Sequence, residues 1–268
     1  MTNPKILIFI PMYHCEKQIS RVIDQIKAVR HDCLFEVLII DNGSQDNSVG
    51  VAIKSLEEIN FISTKVIQND QNISLGGSHK VAFDYTVNHG FDYCMVLHGD
   101  DQAHLKDMIQ FIHQSDWKNY DCILGSRFHP QSVLTNYGLI RILGNKALNL
   151  LISLIVRRWI TDMGAGINLY HRDYLAQRSY MSFPNDLTFN VYFLLDSLYR
   201  KKRIVFIPIT WRESDQVSNA KVFKQGFKIL GLLWRYVFDK KNLFMTQNAH
   251  CEFSQYTYSK KYSGTPLN

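Results

Sequence analysis

The apolar run Met95-Val96-Leu97 ends abruptly in His98-Gly99-Asp100-Asp101-Gln102. A buried strand that stops at a glycine and two acids delivers those acids to the rim of a sheet, where open α/β folds place their ligands. A hard divalent cation bridging a diphosphate needs oxygen ligands on a rigid support, and Asp100, with Asp101 and Gln102 beside it, supplies them. A solvated Gly-Asp turn gives the same pattern and remains the plain alternative. A second apolar run stops at Pro11-Met12-Tyr13-His14-Cys15-Glu16. Proline is expected to stop the ladder there, and the aromatic ring behind it can stack on a flat base. A third, Leu38-Ile39-Ile40, stops at Asp41-Asn42-Gly43-Ser44. Asp41 can accept a hydrogen bond from a base imino group, while Asn42-Gly43 makes a tight turn and Asp46 or Ser48 caps the next helix.

These strand ends need a scaffold that brings them together. The hydrophobic period predicts strands at 5–10, 35–40, 66–67, 93–97 and 122–124, alternating with helices at 16–29, 47–59, 76–88 and 102–114. That order argues for an α/β fold whose mostly parallel, Rossmann-like sheet carries helices on both faces. Beyond residue 125 the rhythm changes to a long apolar helix at 139–156, a strand at 166–170, a helix at 187–199, a strand at 204–207 and a helix at 221–238. The simplest organisation is one domain over 1–248, with a nucleotide-binding half (1–125), an acceptor-side half (126–248) and a loose polar tail (249–268).

With 268 residues, 46% hydrophobic and 20% charged, the chain can bury a large core without staples. Its five cysteines, Cys15, Cys33, Cys94, Cys122 and Cys251, include no Cys-x-x-Cys pair and fit a reducing cytoplasm. No secretory signal is visible, since the run Ile6 to Ile10 meets Pro11. Residues 139–160 carry Arg141, Lys146, Arg157 and Arg158, so no uncharged stretch reaches the length of a spanning helix, about 20 residues. The net charge of +6 points to phosphorylated small molecules or an anionic membrane surface; no nucleic-acid motif is present. Lys221, Lys224 and Lys228, interleaved with Phe223, Phe227 and Trp234, fit an interfacial helix on anionic lipid, and equally a core helix with a wet lysine face. No Gly-x-x-x-x-Gly-Lys loop occurs, and Leu75-Gly76-Gly77-Ser78 lacks dinucleotide spacing.

Taken together, Pro-x-Tyr at 11–13, Ile-Ile-Asp-Asn-Gly-Ser-x-Asp at 39–46 and Gly-Asp at 99–100 resemble glycosyltransferase family 2, the GT-A fold. Leu124-Gly125-Ser126-Arg127, Thr161 to Gly166, and Val205 to Ile209 followed by Arg212 and Ser218 resemble its polyprenyl-phosphate branch, similar to dolichol-phosphate mannose synthase. The likeness covers about residues 5 to 238. It implies inverting, Mg²⁺- or Mn²⁺-assisted transfer of a sugar from a nucleoside diphosphate, UDP- or GDP-linked, to a polyprenyl phosphate or a glycan hydroxyl in cell-surface polysaccharide or glycolipid synthesis. The enzyme would be cytoplasmic and peripheral on the inner face of the plasma membrane.

The expected nucleotide-binding set is Pro11, Tyr13, Glu16, Asp41, Asn42, Gly76 and Asp100; the metal set is Asp100, His98 and Gln102. Arg127 and Arg212 would meet the phosphate or acceptor end, where guanidinium forks suit phosphate. Asp186 is the candidate base for a hydroxyl acceptor, with an N-cap role as its alternative. His98 stands where the family's first acid would, and Asn42 replaces a second acid after Asp41. Histidine suits Mn²⁺ better than Mg²⁺. These departures keep open a non-catalytic sugar-nucleotide-binding or assembly partner. A nucleotidyltransferase is disfavoured, because its Gly-rich loop with a following Lys is missing.

Overall fold

The computed structural model describes residues 4–29, 34–114, 116–215, 222–245 and 253–266. Cys33, Ser218, Lys221 and Cys251, and the side chain of Phe223, lie outside the described residues. In chain order the elements are β1 (Ile6–Met12), α1 (Ile19–Ala28), β2 (Leu34–Asp41), α2 (Ser48–Leu56), β3 (Ser63–Asn69), α3 (Ser74–Asn88), β4 (Tyr93–Leu97), α4 (Leu105–Gln114), β5 (Cys122–Ser126), β6 (Val133–Thr135), α5 (Leu139–Val156), β7 (Ile167–His171), α6 (Arg172–Leu175), α7 (Phe189–Tyr199), β8 (Ile204–Pro208), β9 (Thr210–Arg212), α8 (Val222–Phe238), α9 (Lys240–Met245) and β10 (Tyr258–Gly264).

The main sheet runs β10-β3-β2-β1-β4-β7-β5-β8. β7 is antiparallel to β4 and β5, and β10 is antiparallel to β3; the other pairings are parallel. β1 and β4 are wholly buried, as central parallel strands must be when helices cover both faces. On one face α1 seats Ile19, Val22, Ile23 and Ile26, a helical i, i+3, i+4, i+7 stripe, in a core shared with α2 and α4. On the other, α3, α7 and α8 bury aromatic and aliphatic side chains around Phe83, Phe189 and Phe193.

The chain builds outward from β1 to β2 and β3, then returns to place β4 on the other side of β1. That reversal opens a crevice beyond the carboxyl ends of β1 and β4. A small parallel pair, β6 with β9, is attached there by an Ala103–Trp211 bridge.

Three expectations change. Pro11 does not end β1: the ladder continues through Pro11–Ile40 to Met12–Asp41. The Pro11 carbonyl faces β4 and accepts from Gly99 N at 3.1 Å. Its missing N–H faces the same side, past the last β1–β4 pair, Phe9–Val96, so no bond to β2 is lost. The first helix starts at Ile19 rather than Glu16, after a turn closed by Gln18 N and Ile19 N on the Cys15 carbonyl. The polar tail is not loose over its described part, since Tyr258–Gly264 pairs along β3 as an antiparallel edge. Cys15, Cys94 and Cys122 are buried free thiols, and burial pushes the Cys94 thiol up to about 12.

Candidate active site

The acid loop is fixed to β1 and β7 by its backbone. His98 N donates to the Gly166 carbonyl at 2.9 Å, and a Cβ on Gly99 would sit 3.0 Å from the Pro11 carbonyl, so glycine permits the close approach. Asp101 takes the left-handed backbone, φ +58°, and this turns its carboxylate inward. It is 1% exposed and receives Arg21 Nε at 2.7 Å, Gln25 Nε2 at 2.9 Å and the Arg212 guanidinium. Asp100, by contrast, stays half-buried at the strand end, with Gln102 N 3.4 Å from its Oδ1. Burial raises the Asp100 carboxyl above its ordinary range, against the lowering pull of His98 and nearby N–H groups. The Gln102 amide reaches Glu213 at 3.4 Å.

His98 lies behind Asp100, with its ring against Gly166 and 6.2 Å from the His79 ring. Desolvation lowers its pKa and so favours the neutral imidazole, and its buried Nε2 has no hydrogen-bond partner among the described residues. His79, on α3, gives its Nδ1 to the Leu75 carbonyl at 2.8 Å among Phe9, Phe83 and Phe189; burial takes its pKa down to about 3.

The loops after β1 and β2 are stitched together. Asp41 is fully buried and accepts from Gly43 N, Ser44 N, Ser44 Oγ and Gln68 Nε2, at 3.2, 3.0, 2.5 and 2.8 Å. Gly43 supplies the left-handed residue of that turn, φ +78°. Asn42 spans to the next loop: its Nδ2 donates to Asn72 at 2.8 Å, and its Oδ1 accepts from Asn69 Nδ2 and Ile73 N. Asn42 therefore positions the loop after β3. Tyr13 is exposed and packs on the His14 ring at 4.3 Å. Glu16 accepts from Asn47 N at 3.2 Å, and Asp46 accepts from Ser48 N at the start of α2.

The two arginines are both spoken for. Arg127, 9% exposed, forks onto Asp162 with Nε and a terminal nitrogen at 2.8 Å each, and reaches the Gly164 carbonyl and Tyr137 hydroxyl at 3.0 and 3.1 Å. Arg212 gives Nε to the Asp101 carbonyl at 3.1 Å and its terminal nitrogen to the Asp101 carboxylate. They brace the β7 and acid loops rather than standing as open phosphate forks.

Gly76, expected against the nucleotide, serves packing instead. Its N–H donates to the Asn185 carbonyl at 2.6 Å, and a Cβ there would lie 2.8 Å from that oxygen, the Pro184 carbonyl and Phe189. Lys80, fully buried, ties the same segment with Nζ on the Phe183 carbonyl and Asn185 Oδ1 at 2.6 and 2.8 Å. Asp186 is not the residue that opens α7, whose N-cap is Thr188. Its carboxylate accepts from Thr188 N at 2.9 Å and pairs with Lys228 of α8. Despite partial burial, Lys228 and Thr188 hold its pKa below the ordinary carboxylate range.

The strand ends thus gather Pro11, Asp41, His98 and Asp100 beside the crevice, while Gly76 meets the Pro184–Asn185 backbone at the start of α3 and Asp186 pairs with Lys228 of α8. Arg21, Gln25 and Lys80 were not legible as site supports, because each acts on a partner far away in sequence. Among the described residues no three His, Cys, Asp or Glu side chains converge to cage an ion. One carboxylate, Asp100, fits an ion held largely by substrate phosphates, and an imidazole beside it, His98, suits Mn²⁺ better than Mg²⁺.

A mostly parallel sheet with an acid-tipped strand at its switch point is the architecture of GT-A type glycosyltransferases. The chain belongs to glycosyl transferase family 2, whose model matches residues 7–178. It is 27% identical over 188 residues to the UDP-N-acetylglucosamine–dolichyl-phosphate N-acetylglucosaminyltransferase of Methanococcus voltae, a match covering 65% of this chain and 72% of that protein. An uncharacterized protein of Methanocaldococcus jannaschii, MJ1222, is 23% identical over 170 residues, 63% of this chain and 66% of its own length. Among solved structures, glucosyl-3-phosphoglycerate synthase from Mycobacterium tuberculosis with Mn²⁺, UDP-glucose and phosphoglyceric acid superposes with a TM-score of 0.65 at 12% identity, over 98% of this chain and 90% of that one. The same enzyme with UDP gives 0.62 at 13% identity, over 86% and 79%. At such identity the likeness is one of fold.

Proposed function

We propose that the protein transfers a sugar from a nucleoside diphosphate, UDP- or GDP-linked, to a polyprenyl phosphate at a membrane surface, with inversion at the anomeric carbon. The observation that carries this reading is Asp100, held at the end of β4 beside the end of β1 by the inward turn of Asp101. The dolichyl-phosphate relative and the UDP- and Mn²⁺-bound neighbours support the donor and the metal. Bound Mg²⁺ or Mn²⁺ would stabilise the charge that develops on the departing diphosphate; Asp100 and His98 would hold it. Tyr13 is exposed where a base can stack, and Asp41 fixes the turn beneath it.

The state of Asp186 favours a phosphate over a hydroxyl acceptor. A carboxylate paired with Lys228 and lowered in pKa is a poor general base. A phosphomonoester needs none, since its second pKa is about 6. Its oxygen attacks the anomeric carbon, the bond to the donor diphosphate breaks, and the nucleoside diphosphate leaves. Incubation with radiolabelled UDP- and GDP-sugars and a polyprenyl phosphate should move label into the organic phase, and Asp186→Asn should keep most of that activity. Label transferred only to glycan hydroxyls, with Asp186→Asn inactive, would support the hydroxyl reading. Tight nucleotide binding with no transfer to any acceptor would support the non-catalytic alternative.

A further inference from the structure

The face of the sheet covered by α1 and α4 carries a cleft that the transfer reaction does not use. Its volume is about 460 Å³, inside the range of small-molecule sites, about 300–1,000 Å³. The bottom is apolar, with Ile109 buried and Ala28 and Val29 beside it. The sides carry hydrogen-bond donors: the exposed Lys106 and the rings of His104 and His113. Among the described residues no carboxylate lines the cleft. The one acid of α1, Asp24, pairs with Lys27, and the one acid of α4, Asp107, accepts from Thr210 N. His104 is the most informative member. Its Nε2 is buried without a hydrogen-bond partner among the described residues, and a buried polar nitrogen in that state calls for one.

An ammonium and two imidazoles around an apolar bottom suit an anion carried on an organic group. A metal ion lacks a third ligand there, because among the described residues no three His, Cys, Asp or Glu side chains gather. We infer that the α1–α4 cleft is a second ligand site, separate from the crevice, for a small organic phosphate. Its phosphate meets Lys106 and the two imidazoles, and its carbon skeleton lies on Ile109, Ala28 and Val29. Gln25 makes the site a regulatory one. It lines the cleft, its Nε2 donates to Asp101 Oδ1 at 2.9 Å, and its Oε1 accepts from Leu105 N at 2.8 Å. A ligand in the cleft braces α1 against α4 and keeps that amide on Asp101, so the acid loop stays set for the donor diphosphate. Each ligand then tightens the other by the same factor. This coupling rests on the proposed transfer, whereas the cleft does not.

The test is calorimetric titration of the full chain, in EDTA, with phenyl phosphate and with inorganic phosphate. Phenyl phosphate should bind at least about tenfold tighter, because its ring covers the apolar bottom. Lys106→Glu should weaken it at least about tenfold at an unchanged melting temperature. Asp100→Asn in the crevice and Lys54→Glu, an exposed lysine of α2, should leave it unchanged. No binding of phenyl phosphate, or an equal loss in Lys54→Glu, would overturn the inference. So would a loss in Asp100→Asn, since the phosphate would then sit in the crevice. For the coupling, saturating phenyl phosphate should tighten UDP or GDP with Mn²⁺ about fivefold, and Gln25→Ala should abolish that gain; an unchanged diphosphate affinity in the wild type would overturn the regulatory role. Phenyl phosphate binding with no response to either diphosphate removes the transferase reading alone, and diphosphate binding without phenyl phosphate removes the cleft alone.

Discussion

At residue scale, one backbone angle assigns two adjacent carboxylates to different tasks. Asp101 turns inward to neutralise Arg21 and Arg212, whereas Asp100 stays at the rim, where burial raises its pKa and disfavours its charged form. Asp100→Asn should therefore leave stability unchanged or raise it by up to about 1 kcal/mol in urea unfolding, while abolishing metal-dependent nucleotide binding. Asp101→Asn strands two cations that are themselves only about one-third exposed or a little more, and should cost about 2 kcal/mol. His79 yields a pH prediction. Its folded pKa of about 3 lies below the ordinary imidazole value, so the unfolded chain binds the extra proton. Stability should fall as pH drops through the unfolded value, by about 2 kcal/mol between pH 7 and pH 5, and go on falling toward the folded value. His98, whose pKa desolvation also lowers, adds in the same direction. His79→Phe should flatten that slope in melting temperature against pH. The positions of the acids were legible, because an apolar run ending in Gly-Asp-Asp has few readings. Their division was not, since Arg21 and Arg212 stand 80 and 111 residues from Asp101.

At the scale of elements, legibility followed burial. The stripe Ile19, Val22, Ile23, Ile26 appears in the sequence as it appears in the core of α1. β3 is longer than its apolar centre, Val66 and Ile67, because Ser63, Lys65 and Gln68 alternate outward near the sheet edge. β10 was missed for the same reason: Lys260, Lys261 and Ser263 belong to a polar edge strand, and charged edges are how sheets avoid pairing with other chains. Deleting residues 256–268 would bare the β3 edge, and sedimentation should then show concentration-dependent aggregation that the full chain lacks. Gly76 looked like part of a phosphate loop, but its bare Cα admits the 183–189 segment against α3. Gly76→Ala should cost about 1–3 kcal/mol in a thermal melt, through overpacking against backbone oxygens.

For the whole molecule, the sheet reversal between β1 and β4 sets the crevice at their carboxyl ends, and α5 and α8 leave apolar side chains exposed on the C-terminal half. The basic apolar character of α8 was visible in the sequence. The exposed leucines of α5 were not, because the helix is apolar on both faces, burying Ile152 while leaving Leu143 and Leu154 exposed. The central claim is that the crevice binds a nucleoside diphosphate through Asp100 and a divalent ion. Its most direct test is a thermal-shift titration of UDP, GDP, CDP, dTDP and ADP, each with EDTA, Mg²⁺ or Mn²⁺, on the wild type and Asp100→Asn. One diphosphate should stabilise the wild type only with metal, by about 2.7 kcal/mol at 100 times its dissociation constant, and should leave Asp100→Asn unmoved. No response to any diphosphate, or an equal response in Asp100→Asn, would contradict it.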